Sequence, residues 1–286
     1  MSKAKSISEP VYNDTTASYF SSTCAFDFSI DEFRVFLTLL RDLSIVFSNL
    51  DISERITESS KSRTLSPRQR RASVVAILRN AIAEHGEEKD FTFNVNDDGS
   101  LRVQAYLNHY LPDGSKHYDR IKGAMTNLND KYIDIEDHRG SWARVRLFEM
   151  PSILSYDHAS FTVNPFLVEY FIDLSRGYRK FNYDVAFNFR SVYSSRIYIL
   201  LSGQTSAMPP ISLVKLRRIF GLGAKYKDDK DFIKRVIVSS KKELDLKSPF
   251  SFNYKILRNG EERMVKFLPL KKRNSTRDGT IHKEDS

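Results

Sequence analysis

The sequence predicts an α+β chain in which two tandem domains repeat one plan, a group of helices followed by a β-hairpin. Three observations carry that expectation. The chain has 286 residues, more than one small domain needs. The order of helix and hairpin occurs twice, about 120 residues apart. Positive charge is gathered in one half: residues 166–286 hold 25 Lys and Arg against 13 Asp and Glu, whereas residues 1–165 hold 20 against 23. A hydrophobic fraction of 41%, with 20 Phe and 14 Tyr, is ample for a core in each half.

The first 25 residues are polar and aperiodic, and residues 271–286 are polar throughout, so both ends are expected to be mobile. Ser29-Ile30-Asp31-Glu32 then opens a helix in which Ile30, Phe33, Phe36, Leu37, Leu40, Leu43 and Phe47 recur at intervals of three and four. That stripe needs a partner, either the core of its own domain or a second subunit. Residues 53–64 are polar and Ser-rich, which predicts a loop. Ser66-Pro67 starts the next helix, with Ser as cap and Pro in the first turn, and this helix carries Arg68, Arg70 and Arg71. Phe91 to Val95 alternates as a strand does, Asp97-Asp98-Gly99 turns, and 101–109 fits a strand or a short helix. Residues 115–130 predict a helix with Ile121, Ala124, Met125 and Leu128 on its apolar face. A hairpin follows, from Tyr132-Ile133-Asp134-Ile135 through His138-Arg139-Gly140 to Ala143 and Phe148.

The second copy starts with an amphipathic helix at 191–201. Ser212 caps a helix ending at Gly221-Leu222-Gly223. In 230–246, Ile233, Val236, Ile237, Ser240 and Leu244 form a core face, with Arg235 and Lys242 nearly opposite it and Lys234 and Lys241 on its flank. Phe250, Phe252, Tyr254 and Ile256 alternate, Asn259-Gly260 supplies a two-residue turn, and Met264 to Leu268 returns. Two helices, a basic third helix and a hairpin make the order of a winged helix, whose third helix enters the major groove while the hairpin lies along the backbone. The fold class is therefore α+β, two tandem winged-helix domains.

On that plan the basic helix offers Lys230, Lys234, Arg235, Lys241 and Lys242 to phosphates or base edges. Arg235 is the expected base reader, because its fork can bond O6 and N7 of guanine together. Lys255, Arg258 and Arg263 would touch backbone from the hairpin, or else serve as ordinary strand-edge charges. In the first domain the corresponding cations are Lys116, Arg120 and Lys122, around a Gly123 that leaves the helix thinly charged.

The residues of the second half are also familiar. The runs Ser194-Ser195-Arg196-Ile197-Tyr198-Ile199-Leu200-Leu201, Ile211-Ser212-Leu213-Val214-Lys215-Leu216-Arg217-Arg218-Ile219-Phe220-Gly221-Leu222, Phe232-Ile233-Lys234-Arg235-Val236-Ile237, Lys242-Glu243-Leu244 and Val265-Lys266-Phe267, with Tyr226, resemble the iteron-binding plasmid replication initiator proteins. The likeness is specific over about 185–270. Over about 26–165 it rests on layout and on Thr162-Val163-Asn164-Pro165-Phe166-Leu167. It implies a first winged-helix domain over 26–165, for backbone contacts or dimerisation, and a second over 166–270 as the main reader of DNA. It further implies binding to repeated double-stranded origin sites, melting of neighbouring A·T-rich DNA, self-repression as a homodimer, and work alongside a host replication initiator and helicase.

Enzymatic readings find little support. Asp134, Glu136 and Asp137 alternate along a strand beside a Gly turn, and no second acidic cluster has metal spacing. The six histidines include no His-x-His pair, and Gly221-Leu222-Gly223 lacks the Lys-Ser/Thr of a nucleotide loop. The expectation is no cofactor, no metal and no catalytic residue. A rolling-circle nicking enzyme and a pure transcriptional repressor are the alternatives. One cysteine, Cys24, excludes an intramolecular disulfide, and no secretory signal or stretch of ~18 apolar residues is present, which points to a reducing cytoplasm and away from the membrane; the resemblance implies that this cytoplasm is bacterial.

Overall fold

The computed structural model describes residues 14–18, 26–47, 50–85, 91–112, 117–136, 142–154, 157–174, 177–204, 206–223 and 225–271. Cys24, Lys116, Asp137, the turn at 138–140 and the tail beyond 271 lie outside them.

The first helix, Ile30–Phe47 (α1), starts with reciprocal capping: Ser29 N–H donates to the Glu32 carboxylate (2.9 Å), and Glu32 N–H donates to Ser29 Oγ (3.3 Å). It is buried on nearly all sides, so its apolar stripe belongs to the core of its own chain. Even Asp42 is fully buried, held by His109 (2.8 Å) and Arg41 (3.0 Å). Leu50–Lys61 (α2) corrects the expected loop at 53–64. Its many hydroxyls hide an i, i+4 pair, Ile52 and Ile56, both buried, and Ser53 Oγ accepts the Leu174 N–H (2.8 Å). Tertiary packing outweighs the weak helix propensity of Ser and Thr. Pro67–His85 (α3) follows Ser66, which exchanges hydrogen bonds with Gln69 (2.9 and 3.3 Å).

Phe91–Val95 (β2) and Leu101–Tyr106 (β3) form a hairpin whose turn contains Gly99 at φ 84. The ambiguous 101–109 segment proves to be both alternatives in turn, since a 3₁₀ turn at Leu107–Tyr110 continues β3. After the helix Tyr118–Asn129 (α4), the hairpin Tyr132–Glu136 (β4) and Trp142–Arg146 (β5) pairs with no strand outside itself among the described residues. Two further strands, unforeseen in the sequence, are Glu149–Ile153 (β6) and His158–Val163 (β7), and they complete an antiparallel sheet of order β2-β3-β7-β6. A register shift between Glu149 and Ser152, with Met150 at φ 48, breaks the alternation that would have announced β6. Pro165–Ile172 (α5), capped by Asn164, packs on α1, α2 and the strand Asp14–Ser18 (β1). The first packing unit therefore runs past the boundary expected at residue 165. Within the segment expected to be mobile, residues 14–18 form β1, which pairs antiparallel with Tyr178–Asn182 (β8).

The second unit follows Tyr183–Phe187 (α6). It consists of Val192–Leu201 (α7), the short strand Ile211–Ser212 (β9), Leu213–Ile219 (α8), a composite third helix (α9), and the hairpin Phe250–Asn259 (β10) with Glu262–Lys271 (β11). α9 runs Asp229–Phe232, then one π-turn over Ile233–Val238, then Ser239–Lys247. The sheet order is β10-β11-β9. Asn259 pairs with Glu262, so the turn residues are Gly260, at φ 61, and Glu261, one position beyond the expected Asn259-Gly260.

Residues before α1 tie the two units together. Phe26 O accepts a hydrogen bond from Arg196 (3.0 Å), and the Asp27 carboxylate holds Lys225 (3.0 Å), both in the second unit. Lys131, of the first unit, donates to Asp27 O.

Candidate nucleic-acid interface

In the second unit the sheet and α7 cover one side of α9, burying Val236, Ile237, Ser240 and Leu244 of the expected core face together with Phe232, which the spacing does not single out, while Ile233 of that expected face is only half-buried. The opposite side exposes Lys230, Lys234, Arg235 and Lys242. Lys241 differs. It is half-buried and turned onto Asp245 (2.8 Å). The π-turn is not legible in the sequence; it adds one residue to a turn where Lys234 and Arg235 project, and Ser239 Oγ donates to Lys234 O (3.2 Å) there.

The helix start is clamped. Asp228 caps it, accepting from Asp231 N–H (3.0 Å). Arg217 of α8 bonds Asp229 (2.6 Å) and the carbonyl of Tyr226 (3.0 Å) while lying over the Phe232 ring. Arg263 of β11 reaches Asp229 from the hairpin side (3.6 Å), so α8, α9 and the hairpin meet at one carboxylate. Lys255 and Arg258 are exposed on β10, each directly opposite a like charge, Lys266 and Arg263. Facing cations of this kind disfavour a hairpin in water and favour one lying along a polyanion.

In the first unit the expected site does not gather in the same way. Arg120 donates through Nε and Nη2 to one oxygen, Oδ2, of Asp31 at the start of α1 (3.0 and 2.8 Å), Lys122 sits 3.9 Å from Asp119, and Lys116 is outside the described residues. α4 packs on α1 and β6, and the position of a third winged-helix helix is taken by α3, which follows two helices and precedes the β2–β3 hairpin. Its first turns expose Arg68 and Arg71, next to exposed Lys61 and Arg63 at the end of α2, with no acidic residue in 61–71. The signal was present in the Ser66-Pro67 cap and the three arginines. It was obscured because α3 and α4 are each followed by a hairpin.

Among the described residues no group of three His, Cys, Asp or Glu side chains is placed to hold a metal, and no helix is long and apolar enough to cross a membrane.

The profile of the initiator replication protein WH1 region matches residues 50–202, and that of the initiator Rep protein WH2 region matches residues 212–268. α7 falls at the end of the first match, although it packs on α9 of the second unit. A crystal structure of the Pi initiator protein in complex with iteron DNA is 14% identical, covering 90% of this chain and 97% of that one with a TM-score of 0.45. No curated protein matches the sequence.

Proposed function

The chain belongs to the initiator replication protein family, and we propose that it starts replication of a plasmid by binding repeated double-stranded sites, iterons, at the origin. The observation that carries this reading is the exposed row Lys230, Lys234, Arg235 and Lys242 on the third helix of a winged helix, next to a hairpin of facing cations. α9 lies in the major groove, Arg235 meets a base edge, and Lys255, Arg258 and Lys266 follow the backbone. The first domain adds a second contact through α3, with Arg68 and Arg71 on phosphates, in place of the α4 residues.

Two helices held in one body by β1–β8 and by Phe26-Asp27 fix the spacing of their contacts. Binding energy is thereby available to bend the duplex and unstack flexible A·T-rich steps beside it. The chain acts in the bacterial cytoplasm with a host initiator and helicase, represses its own gene as a homodimer, and carries no catalytic residue, cofactor or metal of its own.

Incubation with a supercoiled plasmid carrying the DNA that flanks the gene tests this. The protein protects repeated sites and leaves the plasmid intact in Mg²⁺. A nick or a covalent tyrosine adduct would replace the binder with a nicking enzyme.

A further inference from the structure

Arg235 does not stand alone. Its Nε donates to Asp231 Oδ1 (2.6 Å), one turn earlier on α9, with the carboxylate on the N-terminal side, the favoured order for an i, i+4 pair. The guanidinium is 63% exposed and the carboxylate 40%, so water screens the attraction and the pair adds little to stability. What the contact does is geometric. Nε–H is the donor on the stem side of the guanidinium, and with it tied to Asp231 the two terminal nitrogens remain available to a ligand. Those two donors match the spacing of O6 and N7 on guanine. The π-turn spans Arg235 and sets where it leaves the helix surface.

We infer that Asp231 is a positioning residue that aims the Arg235 fork at a guanine in the major groove, and so a determinant of which base pair the protein requires there. The inference rests on the reading that α9 enters that groove. Pre-ordering a long side chain lowers the cost of immobilising it on binding. The same carboxylate repels phosphate, so a fork displaced from guanine gains nothing by sliding onto the backbone. Asp231 thus acts through Arg235 and needs no contact of its own with DNA.

The test uses the full chain and a duplex containing one protected repeat from the DNA flanking the gene, with every base pair replaced in turn and a random duplex as reference. Arg235→Ala loses about tenfold of its preference at one G·C pair. Asp231→Ala loses a comparable factor at that same pair while binding the random duplex as tightly as before, or more tightly. Asp231→Asn, which keeps an oxygen to accept the Nε–H, retains most of the preference, and the Asp231→Ala/Arg235→Ala double variant is no worse than Arg235→Ala. A residue that merely stabilised the helix start would weaken all duplexes together and leave the base preference unmoved. If Arg235→Ala loses the preference and Asp231→Ala keeps it, the inference falls and the groove reading stands. If Arg235→Ala itself changes no base preference, both fall.

Discussion

Replacing Gly221 by alanine should open the joint between the two domains. Gly221 has φ 63, a conformation that costs a residue with a Cβ about 1–2 kcal/mol. A Cβ built there would lie 2.2 Å from the Phe26 carbonyl carbon and 2.3 Å from the Asp27 nitrogen, and both are backbone atoms that cannot swing aside. The segment must shift, and with it goes the hydrogen bond from the buried Arg196 to Phe26 O, a charged donor worth about 1.5–3 kcal/mol. The total is about 2.5–5 kcal/mol. At roughly 2–4 °C per kcal/mol for domains of this size, that is a fall in melting temperature of about 5–20 °C. The control is Gly223→Ala. Gly223 also has a left-handed φ, 52, but no atom lies within 4 Å of its Cβ position, so only the conformational cost of about 1–2 kcal/mol applies. Thermal unfolding followed by circular dichroism reads both. Equal shifts for the two variants would show that Phe26-Asp27 is not seated against Gly221.

The paired variant Arg68→Ala/Arg71→Ala should lower the slope of log K against log salt by about two, with base preference unchanged, whereas Arg120→Ala leaves the slope as it was. On α9, Lys234→Ala and Lys242→Ala should each lower the slope by about one, and Lys241→Ala by less, because Asp245 already neutralises that ammonium; titrations across salt concentrations compare them. Burial pushes the Glu243 carboxyl up, but the Arg190 N–H (2.7 Å) and Lys247 (3.2 Å) outweigh it and hold the carboxyl below its ordinary value. Its contribution to stability is thus present above the ordinary carboxylate range and is lost as pH falls through the lowered value. Glu243→Gln should flatten the acid limb of the stability curve, and an unchanged limb would contradict that balance.

Much of this architecture was legible because local chemistry announces it. Ser29, Ser66, Ser191 and Ser212 mark helix starts that the structure keeps, and the apolar spacing in 230–246 gave Val236, Ile237, Ser240 and Leu244 of the buried face of α9, with Phe232 buried where Ile233 was expected. What the sequence concealed depends on distant partners. α2 is a helix because its buried Ile52 and Ile56 lie on a helix that packs on α3 and α5 and because Ser53 bonds Leu174, and β1 is a strand because β8 lies beside it. β6 was hidden by its bulge, and the π-turn leaves the helical spacing of apolar residues nearly intact. The cations of α9 were legible as a face, with Arg235 opposite the core and Lys241 on the flank, but the carboxylates that hold them, Asp231 and Asp245, were not.

Guanine N7 protection from dimethyl sulfate, read along the DNA flanking the gene, puts the account to its most direct test, because N7 lies in the major groove where α9 is placed. The expected result is a ladder of evenly spaced repeats with one protected guanine in each that becomes reactive with Arg235→Ala and stays protected with Lys255→Ala. Protection that is absent, or that survives Arg235→Ala at every guanine, would mean that α9 does not read this DNA.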